Sequence, residues 1–421
     1  MRPRAGGDLL PVASTLLPEA PAFAGARNAA SDRPMPAADD LALYIHWPFC
    51  LKKCPYCDFN SHVRDEVDAQ AWQAALLTDL RHEHAQTAGR RVGSIFFGGG
   101  TPSLMPPALA CALIEEAARL WGLADDCEIT LEANPTSYEA GKFADFRAAR
   151  VNRVSLGVQS LHDEALTFLG REHSAAEAMA ALESAQGLFG RVTFDLIYAR
   201  PGQIAAEWEA ELARALAFGT EHLSLYQLTI EPGTGFAGAV ARGRLTPMDA
   251  DEAADLFVQT QEQTAAAGLP AYEISNHAAE GAQSHHNLTY WRYGDYAGIG
   301  PGAHGRRNGM ATIRHKKPEA FLRRVGENGH GISEERALGR EEQLSEALLM
   351  GLRLAEGVDL AALATRFGTT PAALIDAKRA DFYAGLGFVT RKGEHITITP
   401  QGMPLLDALL AELVPAHLCA A

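Results

Sequence analysis

The chain has 421 residues, is 47% apolar and carries a formal net charge of −15. That length exceeds one ordinary domain, so two domains or one large barrel with an appendage are expected. The charge argues against a general affinity for nucleic acid or anionic membrane, and no run approaches the roughly 18 to 20 apolar residues a membrane span requires.

Residues 1–38 are rich in Ala and Pro and show no sustained period. Asp8, Glu19 and Asp32 interrupt the apolar or basic amphipathic core that a targeting peptide needs. The segment reads as a disordered extension, with Met35 standing as an alternative start just before the first strand. Strand-like runs then follow at Leu41–Trp47, Ser94–Phe97, Glu128–Leu131, Arg153–Gly157, Thr193–Ile197 and Leu223–Leu228. Helix-like segments alternate with them, among them Asp68–Arg81, Leu109–Trp121, Ser174–Leu188 and Ala205–Ala217. Such alternation implies a parallel sheet with right-handed crossovers. The expected class is α/β, with an incomplete parallel (β/α)6 barrel over residues 39–310. From about Arg336 the pattern changes to the helix-like runs Glu341–Leu354, Leu360–Phe367 and Ala372–Gly385, then a hairpin turning at Lys392-Gly393. Residues 311–421 therefore read as a mostly helical, winged-helix-like domain. Its bases Lys378 and Arg379 are mixed with many acids, which favours a structural or docking role over nucleic-acid binding.

After the first strand comes Cys50-Leu51-Lys52-Lys53-Cys54-Pro55-Tyr56-Cys57, a C-x3-C-x2-C run with three thiolates. A structural zinc site normally closes with four protein ligands. A four-iron, four-sulfur cluster can take three cysteines and leave one iron open to a small molecule. The spacing is the radical S-adenosylmethionine signature, so Cys50, Cys54 and Cys57 are the candidate metal ligands. Cys111, Cys127 and Cys419 read as buried or unremarkable thiols, and six cysteines are too few for a disulfide scaffold. An oxygen-sensitive cluster and unpaired thiols point to a reducing cytosol.

The carboxyl ends of barrel strands gather ligands. Tyr44 and His46 share one face of the first strand, and Tyr56 sits inside the cysteine loop. Gly98-Gly99-Gly100-Thr101-Pro102 follows the second strand, Glu132 ends the third, Gln159 follows the fourth and Asp195 lies in the fifth, with Arg171 beyond a helical segment. Each alone is more often structural than functional. Together on one rim they offer the carboxylates, amide and arginine fork that a sulfonium amino-acid nucleoside needs. Farther on, His285-His286-Asn287-Leu288-Thr289-Tyr290-Trp291 is followed by Tyr293, Tyr296 and a glycine-rich run ending in His304-Gly305. Imidazole suits haem iron and the aromatics suit a porphyrin plane. Composition alone favours packing for this group.

Tyr44-Ile45-His46-Trp47-Pro48-Phe49-Cys50, Gly98–Pro102, Gly157-Val158-Gln159-Ser160, Asp195-Leu196-Ile197-Tyr198 and His286-Asn287-x-x-Tyr290-Trp291 resemble the oxygen-independent coproporphyrinogen III oxidase-like radical S-adenosylmethionine proteins over roughly residues 41–415. The resemblance implies a radical-S-adenosylmethionine-type barrel. It also implies a cluster on Cys50, Cys54 and Cys57 whose open iron takes S-adenosylmethionine. Contacts to that molecule are implied for Tyr44, Gly99, Gly100, Thr101, Glu132, Gln159, Arg171 and Asp195. Cluster reduction would cleave the sulfonium to methionine and a 5′-deoxyadenosyl radical. The dehydrogenase branch carries another cysteine where this chain has Phe59, and the His286 motif is associated with haem binding in the haem chaperone branch. Both features place the chain in the chaperone branch, which implies haem or porphyrin, haem-accepting proteins and an electron donor as partners. The alternative is an oxidase converting coproporphyrinogen III propionates to vinyl groups. A homodimer is among the states the sequence allows. One departure stands out: the family usually reads Gly-Leu-Pro-Gly where this chain has Ala199-Arg200-Pro201-Gly202.

Overall fold

The structure is a computed structural model that describes residues 40–64, 66–415 and 418. The expected extension over residues 1–38 and Cys419 lie outside them. Strand β1 (Leu41–Trp47) is buried at every position but Tyr44, the near-continuous apolar run expected of a strand covered on both faces. It pairs in parallel with β2 (Val92–Gly99), and the series continues in parallel through β3 (Leu123–Ala133), β4 (Arg153–Gln159), β5 (Arg191–Tyr198) and β6 (His222–Gln227). Helices α1 (Ala69–Gln86), α2 (Pro107–Trp121), α3 (Ala175–Leu188) and α4 (Ala205–Leu216) supply crossovers. Local chemistry fixes their starts. The Asp68 side chain accepts from the Gln70 and Ala71 amides, and Ser174 forms a reciprocal capping box with Glu177. The α/β class and the six-strand parallel core agree with the sequence reading.

The sheet does not stop there. Past α5 (Ala250–Ala266), strand β7 (Asn276–Ala278) closes one edge antiparallel to β6, and α6 (His285–Trp291) follows. On the other edge β8 (Tyr296–Ile299) pairs in parallel with β1, and β9 (His304–Arg307), β10 (Met310–Arg314) and β11 (Ile332–Ala337) continue antiparallel. The result is an 11-stranded sheet in the order β11-β10-β9-β8-β1-β2-β3-β4-β5-β6-β7. The division expected at residues 310 and 311 is therefore shifted, because β10, α7 (Pro318–Asn328) and β11 belong to the sheet unit. Arginines on β9 and β10 disguise this. Arg314 bonds Asp79 at 3.1 Å and Glu83 at 2.6 Å, and Arg307 bonds Glu83 at 2.5 Å, so buried α1 acids neutralise them.

The remaining residues run α8 (Arg340–Gly351), β12 (Val358–Asp359), α9 (Leu360–Phe367), α10 (Ala377–Gly385), β13 (Val389–Lys392), β14 (His395–Ile398) and α11 (Leu406–Leu413). Helix, strand, two helices and a hairpin is the winged-helix order, and the small sheet runs β12-β14-β13. Lys392 pairs with His395, so the hairpin turns at Gly393-Glu394 rather than at Lys392-Gly393. This unit has its own core around Leu348, Leu352, Leu374, Ile396 and Leu413, into which Tyr293 of the barrel side packs. Among the described residues no helix is long and apolar enough to cross a membrane.

Candidate functional site

The cysteine loop leaves the carboxyl end of β1 and is fastened at both flanks. Phe49–Cys50 pairs with His62–Val63 in a short parallel ladder. Pro55 wedges against two glycines: a Cβ on Gly170 would sit 2.7 Å from Pro55 Cδ, and one on Gly235 would sit 3.2 Å from the Pro55 backbone. The Phe236 amide donates to Pro55 O at 2.8 Å, and the Tyr56 ring leans on Phe236. The three thiols line one cleft of about 140 Å³. Each has a hydrogen-bonding neighbour: Thr101 Oγ1 donates to Cys50 Sγ at 3.4 Å, Arg171 Nη1 to Cys54 Sγ at 3.5 Å, and Ser61 Oγ lies 3.8 Å from Cys57 Sγ. Polar support of each sulfur suits a cluster held by three thiolates.

Gly99, Gly100, Thr101, Glu132, Gln159, Arg171 and Asp195 all line that cleft with the cysteines and Tyr56. The glycines serve protein packing first. A Cβ on Gly99 would strike the His46 ring at 2.5 Å, and one on Gly100 would meet Phe49 O at 2.7 Å. Gly99 also has φ +116°, which favours glycine. Close approach of backbone to backbone is what the run achieves: the Gly100 amide donates to Trp47 O at 2.7 Å and the Thr101 amide to Phe49 O at 2.8 Å, while the Gly99 amide donates to Glu132 at 3.2 Å. Gln159 holds φ +69° at the end of β4, a strained conformation of the kind that gathers at binding sites. Arg171 reaches across the loop: Nη1 donates to Tyr56 Oη at 3.5 Å, and Nη2 donates to Gly157 O at 2.9 Å and to Asn134 Oδ1.

Among the described residues, two carboxylates in the cleft, Glu132 and Asp195, form no ion pair within 4 Å. Burial, reinforced by Asp195 and opposed by the Gly99 amide, pushes Glu132 up to about 8. Burial likewise pushes Asp195 up to about 6 against the hydroxyls of Ser224 and Ser155 and the more distant Arg171. Burial also raises the Cys50 thiol, with Thr101 opposing. Such a site can accept a group carrying positive charge and hydrogen-bond donors.

Tyr44 lies on the far side of Glu132, where a second cavity of about 480 Å³ shares Phe59, Gly99 and Glu132 with the cleft. Its walls include Tyr290, Tyr296, His304, Lys316 and Met350. The Tyr44 hydroxyl donates to His46 Nδ1 at 2.9 Å, and His46 Nε2 donates to Asn60 O at 2.9 Å. His286, expected to face a ligand, does not. It is 1% exposed, stacks on Phe96 at 4.9 Å, and engages Ser94 Oγ at 2.9 Å and Tyr290 Oη at 2.6 Å with its two ring nitrogens. Burial pushes its imidazole down to about 3. The motif thus builds a cavity wall through Tyr290, with His286 behind it.

Sequence reasoning passed over Asn134, Ser155 and Ser61, which line the cleft, and left His304 and Lys316 unassigned. Ser155 was legible: it shares the Gly157 and Gln159 face of β4 by strand alternation. Lys316, in a turn, carries no such signal.

The chain matches the family model described as the Radical SAM superfamily over residues 44–215 and that of the HemN C-terminal domain over residues 338–405. It is 39% identical over 400 residues to the mouse (Mus musculus) Radical S-adenosyl methionine domain-containing protein 1, mitochondrial, covering 91% of this chain and 89% of that protein. It is 39% identical over 378 residues to the Heme chaperone HemW of Escherichia coli, covering 88% of this chain and 97% of that one. Among solved structures, coproporphyrinogen III oxidase (HemN) from Escherichia coli aligns with a TM-score of 0.76 at 23% identity, covering 91% of both chains. That likeness shows the shared fold.

Proposed function

Because the chain belongs to the radical S-adenosylmethionine superfamily, in the oxygen-independent coproporphyrinogen III oxidase-like family that includes heme chaperones named HemW, we propose that it binds haem and passes it to haem-accepting proteins. The observation that carries this reading is the adjacency of two cavities. A three-thiol cleft lies beside a roomier, aromatic-walled cavity, and Phe59, Gly99 and Glu132 line both. A cavity of that size with a few convergent polar groups suits a cofactor-sized ligand.

In this reading Cys50, Cys54 and Cys57 hold a four-iron cluster, with Thr101, Arg171 and Ser61 orienting or polarising their sulfurs. A bound cluster supplies an electron to S-adenosylmethionine once a donor protein has reduced it. Glu132 and Asp195 offer carboxylates to the amine and ribose hydroxyls of that molecule, Arg171 and the Gly99–Gly100 backbone fix the surroundings, and Tyr44 closes the inner wall. Tyr56 covers the loop against water, held by Phe236, which itself stacks on Phe168. Phe59, standing where the dehydrogenase branch carries a further cysteine, is 62% exposed at the lip between the cavities. Cytosolic residence, which keeps the thiols reduced, is part of the same proposal.

Haem titration tests it. Full-length protein, reconstituted anaerobically, is titrated with ferric protoporphyrin and read by Soret difference spectra. A saturable shift at one haem per chain is expected, and its absence overturns the reading. Conversion of coproporphyrinogen III to protoporphyrinogen with reductant and S-adenosylmethionine would instead make the chain an oxidase.

A further inference from the structure

We propose that the open end of the barrel, around the outer edge of the cysteine loop, is the docking surface for a small acidic protein that carries single electrons. This rests on the cluster reading above and says where the donor sits. The starting observation is how the chain divides its cations. Every ion pair among the described residues is made by an arginine and none by a lysine. The sequence holds seven lysines against a net charge of −15, and five of them, Lys52, Lys53, Lys142, Lys316 and Lys317, flank the open end. The other two, Lys378 and Lys392, belong to the C-terminal unit. Arginine is spent inside the molecule, and lysine is left free at one end of it.

The contacts bring these lysines to one face. Lys52 and Lys53 fill the step between Cys50 and Cys54, are exposed, and line the three-thiol cleft. Lys142 Nζ donates to Ser103 O at 3.3 Å, just past the end of β2, and lies 4.3 Å from the centre of the exposed Tyr138 ring. Lys316 and Lys317 are exposed in the turn after β10, tied to the loop by Asn60 Nδ2, which donates to Lys316 O at 2.9 Å. His62 joins the two sides. Burial lowers its imidazole, the Lys316 backbone opposes, and Arg64 and Lys53 lower it further. Arg64 is answered by Glu319 at 2.6 Å, and the exposed acids of the loop and the cleft wall, Asp58 and Glu172, are outnumbered.

Between these cations Leu51, Phe59 and Val63 are exposed. An apolar centre ringed by charge is the anatomy of a contact in which charge steers the encounter, and electron-carrying encounters are among the smallest of such contacts. The cleft, at about 140 Å³, admits no protein, so the electron must enter through the loop. Leu51 to Lys53, bonded through the chain to Cys50 and Cys54, are the shortest way in. The step is one electron: the carrier is oxidised, the cluster is reduced, and no atom moves. A polyphosphate partner fits the surface less well, because phosphate recognition favours the arginine fork and the free cations here are lysines.

The test uses full-length, anaerobically reconstituted protein with an acidic two-iron ferredoxin and an acidic flavodoxin as probes. Association is followed by stopped flow and affinity by calorimetry, at low and at raised salt. Two charge-reversed forms are compared: Lys52→Glu with Lys53→Glu at the loop, and Lys378→Glu with Lys392→Glu on the C-terminal unit. Iron and sulfide analysis checks the cluster in each. The loop pair is expected to slow association about tenfold, weaken binding and flatten its salt dependence, and the distant pair to change none of these. Should the loop pair lose its cluster, Lys142→Glu with Lys317→Glu, neither of which adjoins a cysteine, is expected to give a smaller fall of the same sign. Unchanged affinity in a cluster-containing loop variant, or an equal fall from the distant pair, overturns the proposal. So does a single-stranded oligonucleotide that binds the unaltered protein more tightly than either carrier and is released by the loop substitutions. A protein that holds its cluster and binds neither carrier also overturns the surface, whereas one that holds no iron sinks the cluster reading itself, and the surface with it.

Discussion

Glu128 and Glu132 lie on the same face of β3, Glu128 at mid-strand beside the arginines that begin β4 and β5 and Glu132 next to the carboxyl end, and the fold treats them in opposite ways. Glu128 receives Arg153 and Arg191 at 3.0 Å each, with the Ser284 hydroxyl and the His286 amide at 3.2 Å completing its shell. Burial alone would push its carboxyl up, but the two guanidinium groups outweigh that and hold it at about 2. Glu132 has one backbone amide, at 3.2 Å, and faces Asp195. At the closed end of the barrel the chain neutralises its own buried charge. At the open end it leaves two carboxylates short of a partner, which is the condition a cationic ligand relieves. A strand that only needed to fold would have no reason for the second arrangement.

The largest expected effect tests the closed end. Glu128→Ala leaves buried Arg153 without a carboxylate and Arg191 with Glu221 alone, and removing one partner of a buried ion network costs about 3–5 kcal/mol. Urea denaturation of the unreconstituted chain should show a loss of that size. Glu132→Gln should leave stability level or raise it, while S-adenosylmethionine binding to the reconstituted protein falls at least tenfold. Equal destabilisation by the two substitutions would dissolve the contrast.

The pH dependence sharpens it, because the two groups carry opposite signs. Glu132 is raised in the folded state, so the unfolded carboxyl ionises first and stability falls as pH climbs from about 4.5 to about 8. Glu128 is lowered, so its contribution is complete above about 4.5 and disappears as pH falls toward about 2. Urea midpoints of the unreconstituted chain should therefore drop between the mildly acidic and mildly alkaline range, and Glu132→Gln should flatten that drop. Binding of the sulfonium ligand should also expel a proton from the Glu132 and Asp195 pair near neutral pH, as a neighbouring cation favours the carboxylate. Calorimetry in buffers of different ionisation enthalpy reads it directly, and heats independent of buffer would count against the pairing.

How much of this the sequence disclosed obeys the same division. β1 and α9 were legible to the residue because unbroken apolar runs and an Asp359 cap leave no competing reading. The cysteine spacing and the strand-end polar residues were legible because chemistry at barrel rims depends on residue type and place. β8 to β11 were not, since Arg306, Arg307 and Arg314 look like surface and become core only when Gly294 O, Asp79, Glu83 and Glu335 arrive from distant segments. His286 was misplaced for a related reason. A motif tells that an imidazole is wanted, but which of its nitrogens is free depends on Ser94 and Tyr290, and only the fold brings Ser94 within reach.

The smallest effect concerns the turn after β5, where the family resemblance implied glycine. Ala199 follows β5 with φ +55°, a left-handed conformation in which a Cβ costs about 1–2 kcal/mol. The neighbouring arginine compensates. Arg200 is buried, donating to Ile197 O and to Glu211 at 2.7 Å, while Glu211 also accepts from Ser160 at 2.5 Å and from the Leu161 amide at 2.8 Å. The open end thus contains one closed ionic circuit of the kind otherwise found at the closed end, and it ties the fourth and fifth strand ends to α4. If that circuit, rather than the alanine, sets the turn, Ala199→Gly keeps the conformation and removes its strain. After the added chain entropy of glycine, a net gain of about 0.5–1 kcal/mol remains, visible as a higher urea midpoint with unchanged S-adenosylmethionine affinity. A lower midpoint would mean that the alanine methyl, buried beside β5, contributes more by packing than it costs in backbone strain.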